Sequence, residues 1–134
     1  MAKLFEVVSA LGPKLVYGRT ADLDEIAEWV ANRSSLNKTE VQRVLSELFH
    51  GIVFFARVGR PVRLPGIGRV RAAISRGGIF RVHIMPDTLL VQALNHKGTY
   101  RGDIRNRGNI GLSNEAYKDL WDAERPDDPL ELST

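Results

Sequence analysis

Residues 62–86 read Val62-Arg63-Leu64-Pro65-Gly66-Ile67-Gly68-Arg69-Val70-Arg71-Ala72-Ala73-Ile74-Ser75-Arg76-Gly77-Gly78-Ile79-Phe80-Arg81-Val82-His83-Ile84-Met85-Pro86. Apolar and basic residues alternate through most of this stretch, and a period of two marks strands with one buried and one solvated face. Val62 and Leu64 flank Arg63, and Pro65-Gly66-Ile67-Gly68 bends the chain. Val70, Ala72 and Ile74 then alternate with Arg69, Arg71 and Ala73. Ser75-Arg76-Gly77-Gly78 predicts a tight hairpin turn, its two glycines supplying positive φ, after which Phe80, Val82 and Ile84 alternate with Arg81 and His83. The apolar set must face the helices. Arg69, Arg71, Arg81 and His83 therefore share an outer face, with Arg76 at the hairpin tip. Like charges facing one another across strands repel by a few tenths to about 1 kcal/mol per pair, a penalty that a bound phosphate backbone would reverse.

The charge around this hairpin is concentrated. From Arg57 to Arg107 there are ten arginines and one lysine against Asp87 and Asp103, a local net charge of +9 in a chain whose total is +3. Residues 1–56 carry six basic and seven acidic side chains, and residues 108–134 carry two and seven, so both flanks are acidic. Such segregation points to a polyanionic partner, with nucleic acid the first candidate and an ordinary solvated surface the alternative.

Upstream, Asp22 with Glu25 makes a capping-box-like start for a helix carrying Leu23, Ile26, Ala27 and Val30 at helical spacing, ending near Arg33 to Ser35. Asn37 with Glu40 repeats the signal for a second helix running to about Phe55 or Arg57. In that helix Val41, Val44, Leu45, Leu48, Phe49, Ile52, Val53 and Phe55 occupy close to half the circumference, more than the first helix can bury. A second copy of the chain is the natural cover, which predicts an obligate homodimer with Leu45, Leu48, Phe49 and Ile52 at its interface. Closure by the terminal extensions is the alternative.

Residues 3–9 and 14–17 read as two short strands around Gly12-Pro13. Residues 87–94 favour a short helix capped by Asp87 or Thr88, with a strand as the alternative. Residues 95–111 read as a loop with an edge strand at Thr99 to Ile104. Ser113 caps a last helix with Ala116, Tyr117, Leu120 and Trp121 inward, and Arg125 to Thr134 reads as an extended terminus.

Two capped helices, a strand, Pro65-Gly66-Ile67-Gly68 and an arginine-bearing hairpin together resemble the HU and integration host factor family of histone-like DNA-binding proteins. Val62 to Val70 is similar to that family's strand, glycine-apolar-glycine turn and second strand, and the resemblance covers about residues 21–95. The terminal extensions resemble those of the Bacteroidetes-type HU-like proteins. The resemblance implies an α+β fold: a two-helix hairpin and a three-stranded antiparallel sheet with a short hairpin arm, plus an N-terminal strand and a C-terminal helix. It implies one HU-like domain over residues 1–134, with extensions at 1–20 and 96–134 around a core at 21–95. It also implies a homodimeric, nucleoid-associated architectural protein that binds double-stranded DNA with little sequence preference. Arg69, Arg71, Arg76, Arg81 and His83 would contact phosphates or the minor groove, with Arg60, Arg63, Arg101, Arg105 and Arg107 at the periphery. One departure stands out: the family's long arm with its intercalating proline is replaced by Ser75-Arg76-Gly77-Gly78, which puts sharp kinking in doubt.

Other chemistry is weakly supported. His50, His83 and His96 lack metal-ligand spacing, no serine stands in a nucleophile elbow, and Gly66 and Gly68 precede no helix, so neither enzyme, metal nor cofactor is expected. With no cysteine, no apolar run of membrane-spanning length and no signal-peptide pattern, a cytoplasmic protein without disulfides is expected, and no membrane or small-molecule partner. RNA is disfavoured because Phe80 falls on the apolar face, leaving no exposed strand aromatic for base stacking. The rival from another class is a protein-interaction or assembly module whose arginines meet acidic surfaces such as the tail from Glu124 to Glu131 of a neighbour.

Overall fold

The computed structural model describes residues 1–132. Helices and two antiparallel sheets divide between two compact units, Thr20–Tyr100 and Met1–Arg19 with Arg101–Thr134. The two terminal segments thus come together as one unit into which the central segment is inserted.

The central unit begins with α2 (Leu23–Arg33) and α3 (Lys38–Arg57), the first helix α1 and strand β1 belonging to the other unit. Both caps form as their residues require. Asp22 accepts from the Glu25 amide at 2.9 Å, while Asn37 and Glu40 exchange bonds with each other's backbone amides at 2.8 and 3.3 Å. Lys38 Nζ pairs with Asp24 at 2.8 Å and fastens the start of α3 to that of α2. Strands β2 (Val62–Leu64), β3 (Gly68–Ile74) and β4 (Phe80–Pro86) follow in spatial order β2-β3-β4, and α4 (Thr88–Leu94) closes the unit with Asp87 as its N-cap.

The core of this unit is unfinished. Among the described residues its buried apolar side chains are only Ala27 and Val41. The sequence places the apolar strand face beneath the helices, yet α3 reaches chiefly β2 and β3, and on β4 Phe80 is 74% and Ile84 70% exposed. An open cleft of about 490 Å³ lies between Val53, Ala56 and Arg57 of α3 and Ala72, Phe80 and Val82 of the strands. On α3 Leu45, Leu48 and Ile52 are half-buried, while Phe49 is 63% exposed.

The other unit has a real core of Ala2, Val7, Tyr117, Trp121 and Leu130, with Leu4, Leu11 and Leu112 packed against it. Residues 4–11, read as part of a strand, form α1 (Leu4–Leu11) instead. Leu4, Val7 and Leu11 share a helical face, and packing of that face against α5 (Asn114–Glu124) decides between the two periodicities. β1 (Lys14–Val16) is a strand as expected and pairs with β5 (Asp103–Arg105), the only part of the anticipated edge strand that forms. Ser113 caps α5, accepting from the Ala116 amide at 3.2 Å, with Tyr117 and Trp121 buried and Leu120 40% exposed. The tail is held along its described length rather than free. Trp121 Nε1 donates to the Asp128 carbonyl at 2.6 Å, Lys118 Nζ donates to the Leu130 carbonyl at 2.6 Å, and Asp122 accepts from the Leu130 amide at 2.9 Å. Leu130 is fully buried as a result.

Candidate nucleic-acid interface

The three-stranded sheet sets the geometry. Arg63 stands opposite Arg69 across the β2–β3 ladder, and across β3–β4 Arg69 faces Met85, Arg71 faces His83 and Ala73 faces Arg81. Directly paired residues project to the same side and neighbours along a strand to opposite sides. Arg63, Arg69, Arg71, Arg81 and His83 therefore emerge on one face, and all five are exposed. Val62, Leu64, Val70, Ala72, Ile74, Phe80, Val82 and Ile84 make up the other face. No carboxylate occurs in β2, β3 or β4. Among the described residues Arg69, Arg71, Arg76 and Arg81 enter no ion pair. Such a plate repels cations and itself, and attracts a polyanion.

The glycine-apolar-glycine turn fixes how β2 meets β3. Gly66 takes φ of 81°, a conformation that favours glycine, and its amide donates to Asp87 Oδ2 at 3.1 Å. At Gly68 any Cβ would collide with the Met85 carbonyl oxygen, so this residue must be glycine for β3 and β4 to close. Asp87 also accepts from the Leu89 amide at 2.8 Å and donates its own amide to the Ile67 carbonyl at 3.0 Å. Bonds from the Leu89 and Gly66 amides, with nearby Arg63, hold the Asp87 carboxyl below the usual carboxylate range. Sequence reasoning found Asp87 only as a helix cap. Its tie to Gly66 spans 21 positions, beyond any local signal.

No family model and no curated protein matches this chain. Among solved structures the chain is similar to the Anabaena HU–DNA cocrystal structure. The identity is 16% and the TM-score 0.47, over 57% of this chain and 99% of that one.

The remaining candidate residues are dispersed. Arg60 lies after α3 with its guanidinium 5.0 Å from the Phe55 ring, and Arg76 is exposed in the hairpin turn. Ser75 and Gly78 close that turn, the Gly78 amide donating to the Ser75 carbonyl at 3.0 Å and the Ser75 amide to the Ile79 carbonyl at 2.8 Å. Only Gly78 takes positive φ there, at 83°, whereas Gly77 does not, contrary to the expectation for both. Arg101, Arg105 and Arg107 belong to the other unit, Arg105 on β5 and Arg107 in the 3₁₀ turn Arg107–Asn109. The structure therefore does not gather all ten candidate positions into one surface of one unit. Among the described residues no group of three His, Asp or Glu side chains is placed to hold a metal ion, and no helix is long and apolar enough to cross a membrane.

Proposed function

We propose that a homodimer of this chain binds double-stranded DNA through the arginine face of β2, β3 and β4, with little sequence preference and no catalysis, as a nucleoid-associated architectural protein of the cytoplasm. The observation that carries the reading is the common face of Arg63, Arg69, Arg71 and Arg81 with no carboxylate among them. Guanidinium groups on a regular ladder suit phosphates repeating along a backbone, and they carry no sequence information by themselves. The dimer is supported by the open apolar surface of Phe49, Phe80, Val82 and Ile84, since an exposed area of that kind calls for a partner. Because the hairpin closes at Gly78 with no arm beyond it, binding proceeds without a side chain wedged between base pairs.

Fluorescence anisotropy of a labelled random-sequence duplex, titrated across a salt series, tests the reading. Affinity should fall with salt by about 0.9 in log–log slope for each phosphate neutralised. Arg69→Glu with Arg71→Glu should abolish the shift at about 100 mM salt. A salt-independent affinity, or a double variant that binds like the parent chain, defeats it. The closed hairpin favours a second reading, an assembly module without DNA bending, for which the same titration would show no duplex binding.

A further inference from the structure

Lys14 and Arg105 are directly opposed in the β1–β5 ladder, in the unit that does not contain the arginine plate. Both side chains are exposed, and opposed like charges weaken a ribbon only three residue pairs long. Arg107 adds a third cation beside them, its Nη2 donating to the Gly102 carbonyl at 3.3 Å just before β5. The face shared by Lys14 and Arg105 carries one carboxylate, Asp103, opposite Val16. Among the described residues Asp103 makes no ion pair with the three cations. The ribbon is also held firmly. Asn106 Nδ2 donates to the Ala10 and Gly12 carbonyls at 3.2 and 3.1 Å, and Asn109 Nδ2 to the Leu11 carbonyl at 2.7 Å. These bonds clamp the segment after β5 onto the end of α1, and Asn106 adopts φ of 57°, rare for a residue other than glycine. The carboxylates of this unit gather elsewhere, most of them on α5 and the segment after it. A unit with acidic and basic residues in similar number thus keeps its cations on one rigid ribbon.

We propose that the β1–β5 ribbon is a second phosphate-contacting surface for duplex DNA, built by Lys14, Arg105 and Arg107 and separate from the sheet face. It rests on the DNA-binding reading and extends it to the other unit. A chain with two such surfaces engages more phosphates than its sheet face alone accounts for, and its salt dependence is correspondingly steeper.

The test is the anisotropy salt series on the full chain carrying Lys14→Gln, Arg105→Gln and Arg107→Gln, with circular dichroism and a thermal melt to show that it folds. The log–log slope should become shallower by about 2 to 3, near 0.9 per lost contact, and affinity at about 100 mM salt should fall at least tenfold. Arg105→Lys, which keeps the charge, should leave the slope unchanged. If the triple variant fails to fold, Lys14→Gln alone should lower the slope by about 0.9. A slope equal to that of the parent overturns the proposal even if Arg69→Glu with Arg71→Glu abolishes binding, in which case the sheet-face reading survives alone. An unchanged slope with loss of self-association in sedimentation also overturns it, assigning the ribbon to the acidic helix of another copy. A parent chain that binds no duplex removes both readings together.

Discussion

Arg63 and Arg69 lie directly across from each other in the β2–β3 ladder, a like-charge pair with no carboxylate on its strands. Directly opposed like charges cost stability, and opposite charges there contribute roughly 0.2–1 kcal/mol. Arg63→Glu should therefore raise the melting temperature of the free protein slightly while weakening duplex binding. Parallel calorimetry and anisotropy check this, and a variant that gains stability without losing affinity would show that Arg63 stands outside the contact.

Gly66 and Gly68 fail differently when replaced. Gly66→Ala keeps its space but strains a backbone at φ of 81°, at about 1–2 kcal/mol. Gly68→Ala drives a methyl into the Met85 carbonyl and should cost more, about 1–3 kcal/mol with a shift of β4. Chemical denaturation of both variants reads the difference.

Asp87 gives the turn a dependence on pH. The Leu89 amide, the Gly66 amide and Arg63 all favour its ionised form, so the folded chain holds this proton less readily than the unfolded chain. The associated stability is present above the unfolded value near about pH 4 and disappears as pH falls through the lower folded value. Asp87→Asn should melt below the parent at neutral pH, and the gap should close in acid. A gap constant with pH would mean that the carboxylate charge is not what matters.

Phe49 and Ile84 test the dimer. The parent should sediment at twice its 15.0 kDa mass, and its melting temperature should rise with protein concentration. Phe49→Asp with Ile84→Asp should abolish both behaviours and leave the central unit poorly ordered by near-ultraviolet circular dichroism. A parent chain that sediments as a stable monomer contradicts the dimer.

Much of the central unit was legible because its signals are local. Asp22 with Glu25 and Asn37 with Glu40 announce two helices within four residues each, and the alternation from Val62 to Ile84 fixes which arginines share a side. The terminal unit was less legible because distant partners decide it. Leu4, Val7 and Leu11 have helical spacing, but Tyr117 and Trp121 select it over a strand. Leu130 stands alone between Pro129 and Glu131, and nothing nearby in the chain foretells that Lys118 and Asp122 will hold its backbone. The arginine face followed from period two, whereas the opposition of Lys14 to Arg105 required the pairing of segments far apart in sequence.

The insertion of Thr20–Tyr100 between the two halves of the other unit also dictates an order of events at the ribosome. Helix α1 is translated early, but Tyr117, Trp121 and Leu130, which cover Val7, come near the end of translation. The central segment is therefore complete and able to meet another nascent copy while α1 still has nothing to pack against, so assembly of the pair can precede maturation of either chain. A message truncated before α5 would yield chains able to pair yet permanently displaying the apolar side of α1, a recognisable substrate for chaperones and proteases.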